Sequence, residues 1–199
     1  VVTLASTARA ELEVKRSRFL AAATRCDDPA EALALRDSLR LPDARHNCWA
    51  YKVGGAYRFS DDGEPGGSAG RPILAAIEGQ GLDHVVVVVA RYFGGVKLGV
   101  GGLVRAYGGV ASSCLRAAER LTLVPQVVCV VAAPFHASSP VFHAIEQAGA
   151  TVEAQDYAPD GLRLTVRLRA SALPPFRTAI TEATAGRATV TVGDGAPEG

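Results

Sequence analysis

The 199-residue sequence contains no methionine, so the initiator is not among these residues. Cysteine is scarce and scattered: Cys26, Cys48, Cys114 and Cys129 form no CxxC pair. That spacing excludes the common zinc-ribbon and dithiol motifs and points to buried free thiols in a reducing compartment. No apolar run reaches the length of a membrane span. The opening VVTLASTARAELEVKRSRF lacks the basic-then-apolar layout of a secretion signal. The expectation is a cytoplasmic protein with no membrane partner. An excess of one charge is missing too, with 21 Lys+Arg against 20 Asp+Glu and a formal net charge of +1. Binding to nucleic acid through bulk charge is thereby excluded. The balance is uneven, however: residues 1–124 carry 16 basic and 13 acidic side chains, and residues 125–199 carry 5 and 7. A local basic patch in the first part is compatible with that asymmetry.

What the chain does have is 48% hydrophobic residues, enough for one or two domains that need no covalent staples. The most organised stretch is His84–Tyr107, HVVVVVARYFGGVKLGVGGLVRAY. Val85 to Val89 do not alternate with polar residues, so this strand is predicted to be buried on both faces. Gly94, Gly95, Gly99, Gly101 and Gly102 follow, and a helical pattern begins beyond Gly102. Leu103, Tyr107, Val110, Cys114, Leu115 and Ala118 share one face of that helix. Gly108-Gly109 in its middle lowers helix propensity, and close approach of another backbone would explain the pair.

Upstream, residues 8–25 read as two strands or one bent hairpin around Lys15-Arg16-Ser17-Arg18. Asp27-Asp28-Pro29 is a helix start, with Ala32, Leu33, Leu35 and Leu39 as the buried face. His46–Val53 and Ala56–Phe59 read as a hairpin across Gly54-Gly55. A turn-rich loop, 60–70, leads into a short helix from Ile73 to Gln80, with Ile73, Leu74 and Ile77 inward. Leu121–Val124 is read as a closing strand and Pro125 as a domain boundary. Beyond it the pattern is strand 127–132, a helix capped by Ser138 or Ser139 and ending at Gly149, strands 151–157 and 162–168, helix 173–185 and strand 188–192. The order βαββαβ predicts helices on an antiparallel sheet, a ferredoxin-like sandwich.

Spacing decides what the glycine loop can be. Lys97 is followed by Leu98, so this is no Walker A loop, and Val104 stands where a dinucleotide fingerprint starting at Gly99 needs glycine. An anion nest survives: Gly95, Gly99, Gly101 and Gly102, with Arg91, Lys97 and Arg105 close in sequence. The competing reading is that the glycines only let loop and helix pack tightly. Arg91-Tyr92-Phe93, with Arg58-Phe59 and Tyr107, interleaves cations and aromatics. Tyr92 and Phe93 would stack on bases of looped RNA and the cations would pair with phosphates; the same mixture is ordinary at a sheet edge. Asp61, Asp62 and Glu64 are the carboxylates that would have to hold Mg²⁺ if a metal were bound. Asx turns account for them equally well, and no metal and no cofactor are expected. His46 and Cys48 face the same side of a strand, but no third group orients them as a nucleophile pair.

Four stretches carry a family resemblance: KRSRF at 15–19, ARHNCWAY at 44–51, RFSDDGEPGGSA at 58–69 and RYFGGVKLGVGGLVRAY at 91–107. With these the chain resembles the YigZ/IMPACT family, and the closing βαββαβ segment resembles the C-terminal domain of the bacterial members. Gly67-Ser68 departs slightly from the family pattern. The resemblance implies an α+β protein of two domains. Residues 1–124 would be like the second domain of a small-subunit ribosomal protein and domain IV of elongation factor G. Residues 125–199 would be ferredoxin-like, similar to that factor's domain V. It also implies a non-enzymatic module that binds RNA or the ribosome and takes part in translation regulation. The eukaryotic members' extra N-terminal domain, tied to the response to amino-acid starvation, has no counterpart in the sequence, so its partner is not expected here. The alternative is an enzyme acting on a phosphorylated small molecule or nucleotide through the glycine loop, with Asp61 or Asp62 as catalytic acid.

Overall fold

The computed structural model describes residues 1–192. The chain divides into two compact units, Val1–Leu123 and Val124 onward. Both are antiparallel sheets carrying helices. Among the described residues no helix is long and apolar enough to cross a membrane.

In the first unit, β1 (Val2–Leu4) is followed by β2 (Ala8–Val14) and β3 (Ser17–Arg25), a hairpin turning at Lys15 and Arg16. Both turn residues have positive φ, 48° and 65°, as a two-residue loop matched to strand twist requires. Helix α1 (Pro29–Leu39) starts where the sequence places it. Asp28 caps it by accepting from the N–H groups of Ala30 and Glu31, and proline stands in its first turn. Only Ala32 of its apolar residues is fully buried; Leu33, Leu35 and Leu39 are half-buried. Next come β4 (His46–Val53), β5 (Ala56–Ser60), α2 (Gly70–Gly79), β6 (Val85–Tyr92), α3 (Val100–Ala117) and β7 (Arg120–Thr122).

Five strands form one sheet in the order β2-β3-β6-β4-β5, every neighbouring pair antiparallel. The valine strand β6 lies at its centre. Its burial on both faces, usual for a parallel strand, arises here because helices cover both sides of an antiparallel sheet. Val85, Val87 and Val89 pack with α2 and α3, against Ile73, Ile77, Tyr107 and Leu115. Val86 and Val88 pack with α1, Trp49 and Tyr51. Each fully buried valine contributes on the order of 1.5 kcal/mol or more.

Two expectations about α3 need correcting. It begins at Val100, not beyond Gly102, because Gly99 at φ 74° turns the chain into the helix first. No backbone presses on Gly108-Gly109. A Cβ on Gly108 would meet Pro72 at an ordinary 3.5 Å, and one on Gly109 would meet nothing. The close approach is at Gly94, where a Cβ would lie 2.0 Å from the Arg16 carbonyl carbon. The start of α2 likewise rests on the end of β5, since a Cβ on Gly70 would fall 2.8 Å from the Ser60 nitrogen. Strand β1 carries too few residues to leave a periodic signal and was not expected. It pairs with β7, and the N–H groups of Val1 and Leu123 each donate to the other's carbonyl.

The second unit runs β8 (Gln126–Ala133), α4 (Ser138–Gln147), β9 (Thr151–Ala158), β10 (Gly161–Arg169), α5 (Leu173–Ala183) and β11 (Thr189–Val192). That is the βαββαβ order read from the sequence. The sheet order is β11-β8-β10-β9, all antiparallel. Cys129, Val131, Leu164 and Val166 pack beneath Val141, Ile145, Phe176 and Ile180 of the two helices. Neither serine caps α4 as expected. The helix is entered through a 3-10 turn, Phe135–Ala137, and the Ser138 hydroxyl donates back to the Phe135 carbonyl.

Candidate functional site

One cross-strand row sets the site. Phe19 on β3 and His46 on β4 both register with Arg91 on β6. Strand alternation gives Arg91 the same face as Val85, Val87 and Val89, the face under α2 and α3. A guanidinium there cannot be discharged, so it must be paired. Arg91 is 7% exposed, and its Nη1 donates to Glu64 Oε1 at 2.7 Å. The same oxygen accepts from the Tyr107 hydroxyl of α3 at 2.7 Å. The Glu64 side chain is only 4% exposed, so the pair is desolvated as well as close. Tyr107 stands edge-on to Phe19, with ring centroids 5.1 Å apart. Burial, reinforced by Cys48 and Glu64, pushes the Tyr107 phenol far above its ordinary range, so it stays a proton donor. Arg91 also sits over the rings of Phe19 and Phe93, 5.6 Å from each. Its Nε has no hydrogen-bond partner.

Glu64 comes from the loop after β5, and its neighbours hold that loop in shape. Asp61 Oδ1 accepts from the N–H groups of Ala69 and Gly70, at 3.0 and 2.8 Å, and Oδ2 accepts from Gly67 at 2.8 Å. Asp61 therefore caps α2 from outside the helix, whose own N-cap position is Ala69. Asp62 Oδ2 accepts from the Asn47 N–H at 2.6 Å. His46 Nδ1 lies 2.7 Å from the Asp62 carbonyl. A carbonyl only accepts, so Nδ1 carries a proton and Nε2 is the ring nitrogen left for another partner. The catalytic acid proposed for an enzyme, Asp61 or Asp62, is thus occupied with backbone. Among the described residues no cluster of three or more metal-ligating side chains occurs. Cys48 is fully buried, its thiol donates to the Asp61 carbonyl at 3.0 Å, and burial pushes it up to about 12. It is no thiolate nucleophile.

The loop between β6 and α3 lies beside this row. Gly94 is pinned to the β2–β3 hairpin, its N–H donating to Ser17 Oγ. Gly95 and Gly99 take positive φ, 85° and 74°. No side chain caps α3. The first-turn N–H groups are therefore left without an intrahelical acceptor, at the positive end of the helix. Gly99, Val100 and Leu103 at this end of the helix line a cleft of about 400 Å³. Its polar wall is Arg45, His46, Glu64, Arg91 and Lys97; its apolar wall is Pro65, Phe93, Leu98, Val100 and Leu103.

The residues singled out from the sequence divide around this cleft. Arg91, Phe93, Lys97 and Gly99 line it. Gly101, Gly102 and Arg105 follow in the first turns of α3, where Arg105 Nη1 lies 3.7 Å from the position of a Gly101 Cβ. Gly102 lets Leu98 fold back, since its Cβ would meet Leu98 Cβ at 3.0 Å. Tyr92 is on the opposite face of β6, and its hydroxyl donates to Asp43 at 2.8 Å. Arg58 is exposed on β5 and does not line the cleft. Sequence reasoning did not name Arg45, Pro65 or the pairing role of Glu64. One signal was available: an arginine at the end of a doubly buried strand demands a carboxylate.

The Impact N-terminal domain family matches residues 15–115, and a domain of unknown function, DUF1949, matches residues 131–187. A Thermus thermophilus protein described as an IMPACT family member in the pol 5′ region is 51% identical over 78% of this chain and 86% of its own length. The Escherichia coli IMPACT family member YigZ is 46% identical over 52% of this chain, an alignment that spans about half, 54%, of that relative. A solved structure titled only as a hypothetical protein is 32% identical and superposes with a TM-score of 0.68 over 98% of both chains.

Proposed function

The chain belongs to the IMPACT family, and on that premise we propose that it is a non-enzymatic cytoplasmic module that binds RNA or the ribosome and takes part in regulating translation. The observation that carries this is the uncapped start of α3, opening on a cleft that holds Lys97, Arg45 and a buried arginine short of partners. The Arg91–Glu64 pair is neutral as a unit. The net positive charge for phosphate therefore comes from Lys97, Arg45, Arg105 and the helix end, and Arg91 adds donor capacity that Glu64 does not use up. Exposed Phe93 offers a face for a base. The alternative, an enzyme on a phosphorylated small molecule, lacks a free acid, because the Asp61 and Asp62 carboxylates accept from backbone N–H groups.

The finer fold reading supports the same function. The βαββαβ order and the sheet order of the second unit agree with a ferredoxin-like domain spanning 125–199; residues 193–199 lie outside the described residues. With it goes the likeness to domain V of elongation factor G, and for residues 1–124 the likeness to that factor's domain IV. Binding to RNA and to ribosomal particles, measured across a salt series, tests the proposal. Affinity should fall linearly on a log–log plot, and Lys97→Ala and Arg105→Ala should each lower the slope by about 0.7–0.9. Absence of binding at low salt overturns it.

A further inference from the structure

We infer that the cleft beside α3 is a site for a nucleoside 5′-phosphate, so that the RNA contacted by this face is held by its phosphorylated 5′ end. The inference rests on the RNA-binding reading above and specifies its ligand. Two independent features point to an anion. The first is the uncapped first turn of α3, an 18-residue helix, whose residues Val100 and Leu103 form part of the cleft wall. The second is Arg91, which lines the same cleft with a side chain 8% exposed. Its Nη1 donates to Glu64, and Nε is buried without a partner. A guanidinium has five N–H donors, so this one is left under-satisfied in a desolvated place. Lys97 and Arg45 add positive charge at the rim, where both are exposed.

The rest of the cleft argues that the anion carries a flat apolar body. Pro65, Phe93, Leu98 and Val100 give it apolar walls. Phe93 is 54% exposed, yet Arg91 lies against its ring at 5.6 Å. It is a held platform with one face offered for stacking. His46 lines the cleft with Nδ1 already committed to the Asp62 carbonyl, which leaves Nε2 as its remaining polar atom. The volume of about 400 Å³ is in the range that holds one small ligand. An internal phosphate of a chain carries nucleotides on both sides, whereas a terminal phosphate enters a cleft of this size with one base behind it.

The test compares a short oligouridylate bearing a 5′-phosphate with the same oligonucleotide ending in a 5′-hydroxyl, alongside free UMP, by fluorescence or calorimetric titration. The phosphorylated RNA should bind about 10-fold or more tightly, the scale of one charge-assisted hydrogen bond. Lys97→Ala, at an exposed position away from the buried Arg91–Glu64 pair, should erase most of that preference, whereas Phe93→Ala should weaken both RNAs alike by removing the stacking face. Equal affinity for the two RNAs overturns the end-recognition inference and leaves the RNA-binding reading standing. UMP bound with no binding of either RNA supports the site, assigns it to free nucleotides and overturns the RNA reading. No binding of any of the three overturns both.

Discussion

Tyr107 on α3 and Glu64 in the loop after β5 meet at 2.7 Å, on the carboxylate oxygen that also takes the Arg91 guanidinium. One oxygen thereby joins the helix, the loop and the central strand beneath the cleft. The three groups are all desolvated, so removing one leaves the others exposed to the full cost of burial.

That arrangement sets a first prediction. Glu64→Ala strands a buried arginine and should destabilise the protein by about 3–5 kcal/mol in urea unfolding. Tyr107→Phe keeps the ion pair and removes one donor, so it should cost about 1–2 kcal/mol. Equal losses for the two variants would show that the ion pair matters no more than the single hydrogen bond of the phenol.

The glycines give a second prediction with opposite signs. Gly94→Ala places a methyl 2.0 Å from the Arg16 backbone, and the hairpin or the loop must move. A loss of about 3 kcal/mol or more in Tm-derived stability is expected. Gly109→Ala meets no atom within 4 Å in the interior of α3. It should be neutral or stabilising by up to about 1 kcal/mol.

Asp61 supplies a third. Its three backbone acceptances fix the loop and the start of α2. Asp61→Ala should lower stability by about 1–3 kcal/mol. It should also speed hydrogen exchange at the amides of Gly67, Ala69 and Gly70, with the rest of the sheet unchanged. Unchanged exchange at those amides would count against the capping role.

The thiols supply a fourth. Cys26 and Cys48 are pushed by burial from 9.0 up to about 12, and Cys114 to about 11. Their folded values are raised, so the unfolded chain loses its thiol protons first as pH rises. Stability from this source is complete below about pH 9 and falls above it, by about 1.4 kcal/mol per pH unit for each thiol. Thermal melts between neutral and strongly alkaline pH read the decline. At mildly alkaline pH none of the four buried cysteines should react with a thiol reagent until denaturant is added.

The valine strand, the Asp28 cap of α1 and the closing βαββαβ order were legible because each is written locally. Val85 to Val89 do not alternate, Asp28-Pro29 is a helix start, and Gly54-Gly55 is a hairpin tip. The site was legible only in outline. Glu64 and Arg91 lie 27 positions apart, on a loop and a strand, and no periodicity links them. Tyr92 looked like a stacking residue because its sequence neighbours do, yet strand alternation turns it to the other face of the sheet, where it meets Asp43. Gly94 and Gly108 look alike in the sequence. Only the hairpin laid against one of them distinguishes a steric requirement from a tolerated weak point.

The short pairing of β1 with β7 has a consequence of another kind. Val1 and Leu123 exchange hydrogen bonds, so the first unit enters and leaves through one doorway. A fold whose two ends sit side by side can be spliced into a foreign chain as a cassette, without rethreading its sheet. Grafting residues 1–123 into an exposed loop of an unrelated host should therefore leave host and cassette both folded, and would carry the cleft to any partner that evolution or an engineer chose.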